Sequence, residues 1–333
     1  MHKHSLWLIL LAFMVAGCAG QQVVRGPTKT EPGRHFIFPL IFISPQQPKT
    51  VAVQPTPLPA LRKVAGVAWP GEDGTDRAAG LAQLGAQATL DWGHDPEKAA
   101  RLQQTGVIYL PMQWSCRGGA KAVNVNAVTL FARRYPGATW LAFNEPDHSG
   151  QANCTPAEGA EAYFALYAAL MAADPTARVY CCGTAWPAGH IAWTQAFSAA
   201  YRARYGTWPP VDGLHIHSYS QVWEARFDCR ARQTELETVH AWTNTQPWLA
   251  GKPLIVSEWG VLSGSWWRED AARMARNYIP TMRAWFDRQT WILADVWFAT
   301  WYSDTMYQPS NIFERNSSTL TVVGDAWRRA ARQ

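Results

Sequence analysis

From residue 64 onward, short apolar runs alternate with longer segments of helical periodicity. The runs are Val64–Trp69, Ala88–Trp92, Val107–Trp114, Thr139–Asn144, Val179–Thr184, Gly213–Tyr219, Pro253–Glu258 and Asp295–Trp301. Most are apolar at consecutive positions rather than alternate ones, the pattern of parallel strands buried on both faces. The segments between them carry helix punctuation. Asp95-Pro96 reads as an N-cap with proline at the first helical position, and Gly106 as the stop. Thr155-Pro156-Ala157-Glu158 reads as a capping box. Eight strand–helix units over roughly 250 residues predict an α/β chain folded as a (β/α)8 TIM barrel spanning residues 61–333. A doubly wound open sheet is the rival, but no GxGxxG follows the first run.

The N-terminal part does not follow this alternation. His2, Lys3 and His4 precede an apolar stretch from Leu6 to Val15, too short to span a bilayer. It ends in Val15-Ala16-Gly17-Cys18, which resembles the lipobox of bacterial lipoproteins. Residues 1–18 are therefore expected to be a signal segment with Cys18 lipidated. The protein is expected to be exported and held to a membrane by acyl chains, at the cell surface or in the periplasm. A plain secretory signal is the alternative. Residues 19–60 hold eight of the 22 prolines and read as an extended spacer. The apolar run from Phe36 to Ile43 does not suit a solvated tether; it would pack on the barrel as an extra strand or lie at the membrane surface.

Composition narrows the partners. The formal charge is +5 with no Lys/Arg cluster, which argues against nucleic acid. The 19 tryptophans are more than such a chain usually carries; core packing is one reading, and for those at strand ends the other is a cleft in which indoles cover sugar faces. After Cys18 five cysteines remain, an odd number, so disulfides in an exported protein would leave one outside. A Cys116–Cys154 bridge between neighbouring loops is one open reading. No CxxC or HxxxH spacing supports zinc.

In a barrel of this kind, chemistry sits where strands end. The run ends give Trp69, Asp91-Trp92, Gln113-Trp114, Asn144-Glu145, Trp186, His217 to Tyr219, Glu258-Trp259 and Trp301-Tyr302. Glu145 closes the fourth run and Glu258 the seventh, strands that face each other across a barrel mouth. Glycosidic cleavage needs one acid for the leaving oxygen and one carboxylate for the anomeric carbon. Asn144 could hydrogen-bond a sugar 2-hydroxyl, a contact that strengthens in the transition state. Asp147, behind Pro146, reads as a loop or capping residue.

Asn-Glu on strand four with Glu on strand seven resembles the clan A glycoside hydrolases. Tyr109-Leu110-Pro111-Met112-Gln113-Trp114, Phe143-Asn144-Glu145-Pro146-Asp147 and His215-Ile216-His217-Ser218-Tyr219 resemble the glycosyl hydrolase catalytic core family. That family includes the fungal alkali-sensitive-linkage proteins and glycoside hydrolase family 128. Thr300-Trp301-Tyr302 is similar to its strand-eight Trp-Phe element. The resemblance covers about residues 62 to 330. It implies a retaining barrel acting on a β-linked polysaccharide, β-1,3-glucan above all, with Glu145 as acid/base and Glu258 as nucleophile. Three departures stand out: Trp259 replaces a phenylalanine after the nucleophile, Ser218 replaces an aromatic, and residues 117–126 form an inserted loop.

His217 is expected to contact sugar or orient a glutamate, with His215 a layer below. A metal pair on these histidines lacks an apparent third ligand. Tyr219 could hydrogen-bond Glu258 and keep it ionised. Trp69, Trp114 and Trp301 are the candidate stacking residues, and the Trp266-Trp267 pair a candidate cleft wall. Trp285, Trp291 and Trp327 read as core. The reaction so read needs no cofactor and no metal, and a monomer is expected. Two rivals stand beside it: a non-catalytic polysaccharide-binding lipoprotein, which would need neither glutamate nor Asn144, and a transglycosylase, which uses the same residues with sugar in place of water.

Overall fold

The computed structural model describes residues 56–59, 61–221, 229–263 and 267–331. The expected signal segment with Cys18, nearly all of the 19–60 spacer with its Phe36–Ile43 run, and Trp266 lie outside these residues. Among the described residues no helix is long and apolar enough to cross a membrane.

The architecture is α/β, built on one curled, all-parallel sheet of nine strands. They are β1 (Val64–Val67), β2 (Ala88–Thr89), β3 (Ile108–Tyr109), β4 (Met112–Gln113), β5 (Thr139–Asn144), β6 (Arg178–Thr184), β7 (Gly213–Gln221), β8 (Leu254–Leu262) and β9 (Ile292–Trp297). The hydrogen-bonded order is β3-β2-β1-β9-β8-β7-β6-β5-β4. Neighbours in the sheet are thus neighbours in the chain, apart from the β1–β9 contact. The reversal that marks a doubly wound sheet is missing among these strands.

The third apolar run is one continuous stretch in sequence but two strands in the structure. Leu110-Pro111 separates them, and proline cannot donate to a ladder. Leu110 N–H still donates to Thr89 O at 2.9 Å, while Leu141 N–H donates to Pro111 O at 2.9 Å. This segment therefore bonds to β2 on one side and to β5 on the other. The eighth run needs a larger correction. The strand starts at Ile292 and ends at Trp297, so the expected Asp295–Trp301 is displaced toward the C-terminus. After Trp297 the chain leaves the ladder.

Two buried layers hold the sheet. Leu141, Ile255, Ala294 and Val296 lie in one cluster with Tyr180 and Tyr219, drawn from strands around the curl. Trp140, Val179, Val256 and Trp297 lie in the other, with the helices, where Trp285 and Trp327 are buried and Trp291 packs against them. This accounts for strands that are apolar at consecutive positions.

The helix signals are realised. Asp95 accepts from the N–H groups of Glu97 and Lys98, Pro96 is the first helical residue, and Gly106 ends the helix at φ 76°. Thr155 and Glu158 complete a reciprocal capping box on the helix Pro156–Ala173. Cys116 and Cys154 are joined as a disulfide that ties the loop after β4 to the loop after β5. Cys181 and Cys182, adjacent on β6, form a second, and Cys229 belongs to neither. The inserted 117–126 loop is pinned as well, since Glu158 Oε1 accepts from Gly118 N–H at 3.0 Å.

Candidate active site

Alternation along β7 puts His215, His217 and Tyr219 on one face. On the adjoining strand Glu258 pairs with His217. Two strands from β7 in the sheet, Asn144 ends β5, and Glu145 follows at φ 46° with its N–H donating to Gly183 O at 2.5 Å. Phe143, at φ 72°, turns the strand just before it. Left-handed backbone in a phenylalanine and a glutamate costs free energy, and such strain concentrates at functional sites.

One oxygen of each carboxylate and one ring nitrogen of His217 lie within 4.8 Å of one another. His217 Nδ1 is 2.8 Å from Glu145 Oε1. Its Nε2 is 3.3 Å from Glu258 Oε1, within ion-pair reach but not aligned as a hydrogen bond. Glu258 receives two further contacts. Trp92 Nε1–H donates to Oε1 at 2.7 Å, and Tyr219 O–H donates to Oε2 at 2.5 Å. Three such side chains are also a set of donors that a metal could use. Here, however, both Glu258 oxygens already accept from protein donors and His217 Nδ1 is engaged by Glu145, so the arrangement suits proton transfer.

Burial works against the charged form of His217, but Glu258, Glu145 and Asp147 outweigh it and the ring titrates above an ordinary histidine. Burial raises Glu258, helped by the Glu145 charge, while His217, Tyr219 and Trp92 pull it back; the net direction is upward. Burial also raises Tyr219, with Glu258 adding to it, so the phenol stays a donor. His215 lies deeper, between Ser257 Oγ at 2.8 Å and Ala142 O at 2.9 Å, and burial lowers it to about 3. It is a neutral structural residue.

The glutamates open into a cavity of about 460 Å³, a common size for a ligand site. Trp114 and Gln151 line it toward β4 and β5. Phe298, Tyr302, Tyr307, Asp304 and Met306 line it from the segment after β9, with Pro70 and Glu72. Asn144 lines it too. Its amide N–H donates to Gln151 Oε1 at 3.3 Å, while its buried Oδ1 has no hydrogen-bond partner among the described residues. Asp147 stays out of the cavity and accepts from Ala185 N–H at 2.9 Å, joining two loops.

Of the sequence candidates, Glu145, Glu258, Asn144, His217, Tyr219 and Trp114 meet here. Trp69 and Trp301 do not. Trp69 is 3% exposed, with the Lys98 ammonium 4.5 Å above its ring, so no face is left for a sugar. Trp301 lies past the true end of β9 and lines a separate pocket with Phe313 and Arg315. The side chain of Trp267 is outside the described residues. Trp92, Gln151, Phe298 and Tyr307 were missed. Trp92 stood at a run end, the aromatic density of residues 298–307 was the available signal for Phe298 and Tyr307, and nothing local marked Gln151.

The match to the glycosyl hydrolase catalytic core model runs from residue 66 to 327, and the chain belongs to that family. It is a glycoside hydrolase. Solved structures share the fold at low identity. A GH128 subgroup I endo-β-1,3-glucanase from Amycolatopsis mediterranei, in complex with laminaripentaose, is 23% identical with a TM-score of 0.60, over 80% of this chain and 99% of that one. A GH128 subgroup II endo-β-1,3-glucanase from Pseudomonas viridiflava is 21% identical with a TM-score of 0.62, over 80% and 97%. A glucosidase from Croceicoccus marinus is 16% identical with a TM-score of 0.64, over 84% and 69%. No curated protein matches the chain.

Proposed function

We propose that this chain is a retaining endo-β-1,3-glucanase that cleaves its polymer by double displacement, with Glu145 as acid/base and Glu258 as nucleophile. The observation that carries the proposal is the approach of the two carboxylates within 4.8 Å. Retaining pairs stand about 5–5.5 Å apart, whereas inverting pairs need about 6.5–9.5 Å to admit water.

The division of roles follows from the surroundings. Glu258 is held on both oxygens by Trp92 and Tyr219 and is 5% exposed at its side chain, as suits a carboxylate aimed at one carbon. Glu145 is 14% exposed, lines the cavity and is held by His217 through Oε1, so its other oxygen would carry the proton. In the first step a Glu258 oxygen bonds to the anomeric carbon, the glycosidic C–O bond breaks, and the Glu145 proton goes to the leaving oxygen. In the second, Glu145 takes a proton from water, the water oxygen bonds to the anomeric carbon, and the Glu258 ester bond breaks. Asn144 Oδ1 would accept from the sugar 2-hydroxyl, and Trp114 would stack on a neighbouring ring.

The sheet is read as a closed (β/α)8 barrel in which β3 and β4 form one interrupted strand, because Leu110-Pro111 bonds to β2 on one side and β5 on the other. β-1,3-Glucan is the substrate favoured by the resemblance to endo-β-1,3-glucanases, one of them in complex with laminaripentaose. The enzyme would act outside the membrane, tethered through Cys18 and the spacer that follows.

A reducing-end assay over laminarin, mixed-linkage β-glucan, mannan and xylan tests the reading. Laminarin should be cut fastest, and Glu258→Gln should lose nearly all turnover while remaining folded. Laminarin bound without new reducing ends, or wild-type turnover in Glu258→Gln, would overturn it.

A further inference from the structure

Trp92, one of the two neutral donors to Glu258, takes no part in the bond-making steps, yet its own backbone is unusual. Trp92 has φ 62°, one of five positive values at non-glycine residues among those described. A tryptophan adopts that backbone only where its surroundings determine it. The residues on either side supply the restraint. Asp91 Oδ1 accepts from Gly93 N–H at 3.2 Å and from the Tyr109 hydroxyl. Asp91 Oδ2 pairs with Lys98 at 2.5 Å. Gly93 O accepts from Met112 N–H at 2.7 Å and lies 3.1 Å from the Tyr109 hydroxyl oxygen. The indole ring meets Phe298 edge-on at 5.6 Å between centroids. Backbone and ring are thus fixed from both sides, and the one polar atom of the ring points at Glu258 Oε1, 2.7 Å away.

We infer that Trp92 is a positioning residue for the reaction: its N–H holds the ionised Glu258 carboxylate in its attacking orientation, and Asp91, Tyr109 and Lys98 hold Trp92. The inference rests on reading Glu258 as the nucleophile. A hydrogen bond to a charged oxygen in a buried site is among the stronger ones, and it favours the charged form over the neutral one. The other groups facing Glu258 are His217 and Tyr219 from β7, Glu145 after β5, and Tyr302 and Tyr307 after β9. Of the uncharged donors, Tyr219 serves Oε2, so Trp92 alone among them serves Oε1 within the described residues. That oxygen is also the one His217 approaches without a hydrogen bond.

The test is Trp92→Phe in the full-length enzyme, which keeps an aromatic wall and removes the N–H, with kcat and kcat/KM on laminarin followed against pH. Loss of a donor to the charged form raises the Glu258 pKa, so the acidic limb of kcat/KM should move up by about one pH unit. The plateau kcat should fall about tenfold, with KM little changed. A purely structural role would lower melting temperature or active fraction and leave the limb in place. An unmoved limb with wild-type kcat overturns the inference. If Trp92→Phe does not fold, Tyr109→Phe, which acts on Asp91 from behind the cavity wall, carries the test. Its acidic limb should then move the same way by less, and no movement overturns the inference. Glu258→Gln measured alongside separates the two readings: wild-type turnover there removes the nucleophile assignment itself, whereas an inactive Glu258→Gln beside an unaltered Trp92→Phe removes only the role of Trp92.

Discussion

His217 meets Glu145 through Nδ1 at 2.8 Å, with the imidazole ring fully buried. The contact joins β7 to the residue that follows β5, on a backbone already in the left-handed region. It also sets the charge balance, because a second carboxylate stands on the far side of the same ring.

The pH dependence of stability follows from that contact. A histidine whose folded pKa is raised contributes stability fully below its unfolded value, and loses it as pH rises through the folded value. For His217 the direction is upward. Replacing it with glutamine leaves two close carboxylates without their cation and should cost about 1–3 kcal/mol near pH 6. The melting-temperature deficit against wild type should shrink from about pH 6 to about pH 9. A deficit that grows with pH would contradict the charge assignment.

Two tryptophans expected to do the same work should behave differently. Trp114 is 37% exposed at the cavity edge, and Trp69 is packed beneath Lys98. Trp114→Ala should raise KM for long glucans about tenfold, equivalent to about 1.4 kcal/mol, with little change in melting temperature. Trp69→Ala should cost about 3–5 kcal/mol of stability. Kinetics and calorimetry on the pair check this; a KM effect in folded Trp69→Ala matching that of Trp114→Ala would contradict it.

Gly183 has a steric role beside the site. A Cβ there would lie 2.4 Å from His215 Cε1 and 2.9 Å from Phe143 O. Gly183→Ala should therefore destabilise by about 1–3 kcal/mol. It should also slow turnover, because Glu145 N–H donates to Gly183 O. Unchanged stability would mean that the layer below the glutamates yields more easily than its packing suggests.

Much of this was legible in the sequence because its cause is local. Consecutive apolar positions gave eight runs, each of which contains strand, and capping chemistry gave the starts of two helices. Asn144-Glu145 and Glu258 stood out because a strand end is a short, recognisable place. What failed depended on where a strand stops. The Trp297–Trp301 stretch is aromatic and apolar throughout, so nothing local marked the exit from the ladder after Trp297, and Trp301 was expected at the strand end although it lies beyond it. Pro111 was visible, yet its division of one run into two strands depends on partners in β2 and β5. Trp92 reaches Glu258 across 166 residues of sequence, a contact that periodicity cannot encode.

The central claim is that Glu258 forms a covalent bond with the sugar. It is tested most directly by incubating the enzyme with an activated 2-deoxy-2-fluoro laminari-oligoside and mapping the adduct by peptide mass spectrometry. The expected result is one glycosyl unit esterified to the peptide at Glu258, with slow recovery of activity as water releases it. A label on another residue, or product of inverted configuration with no adduct, would contradict the assignment.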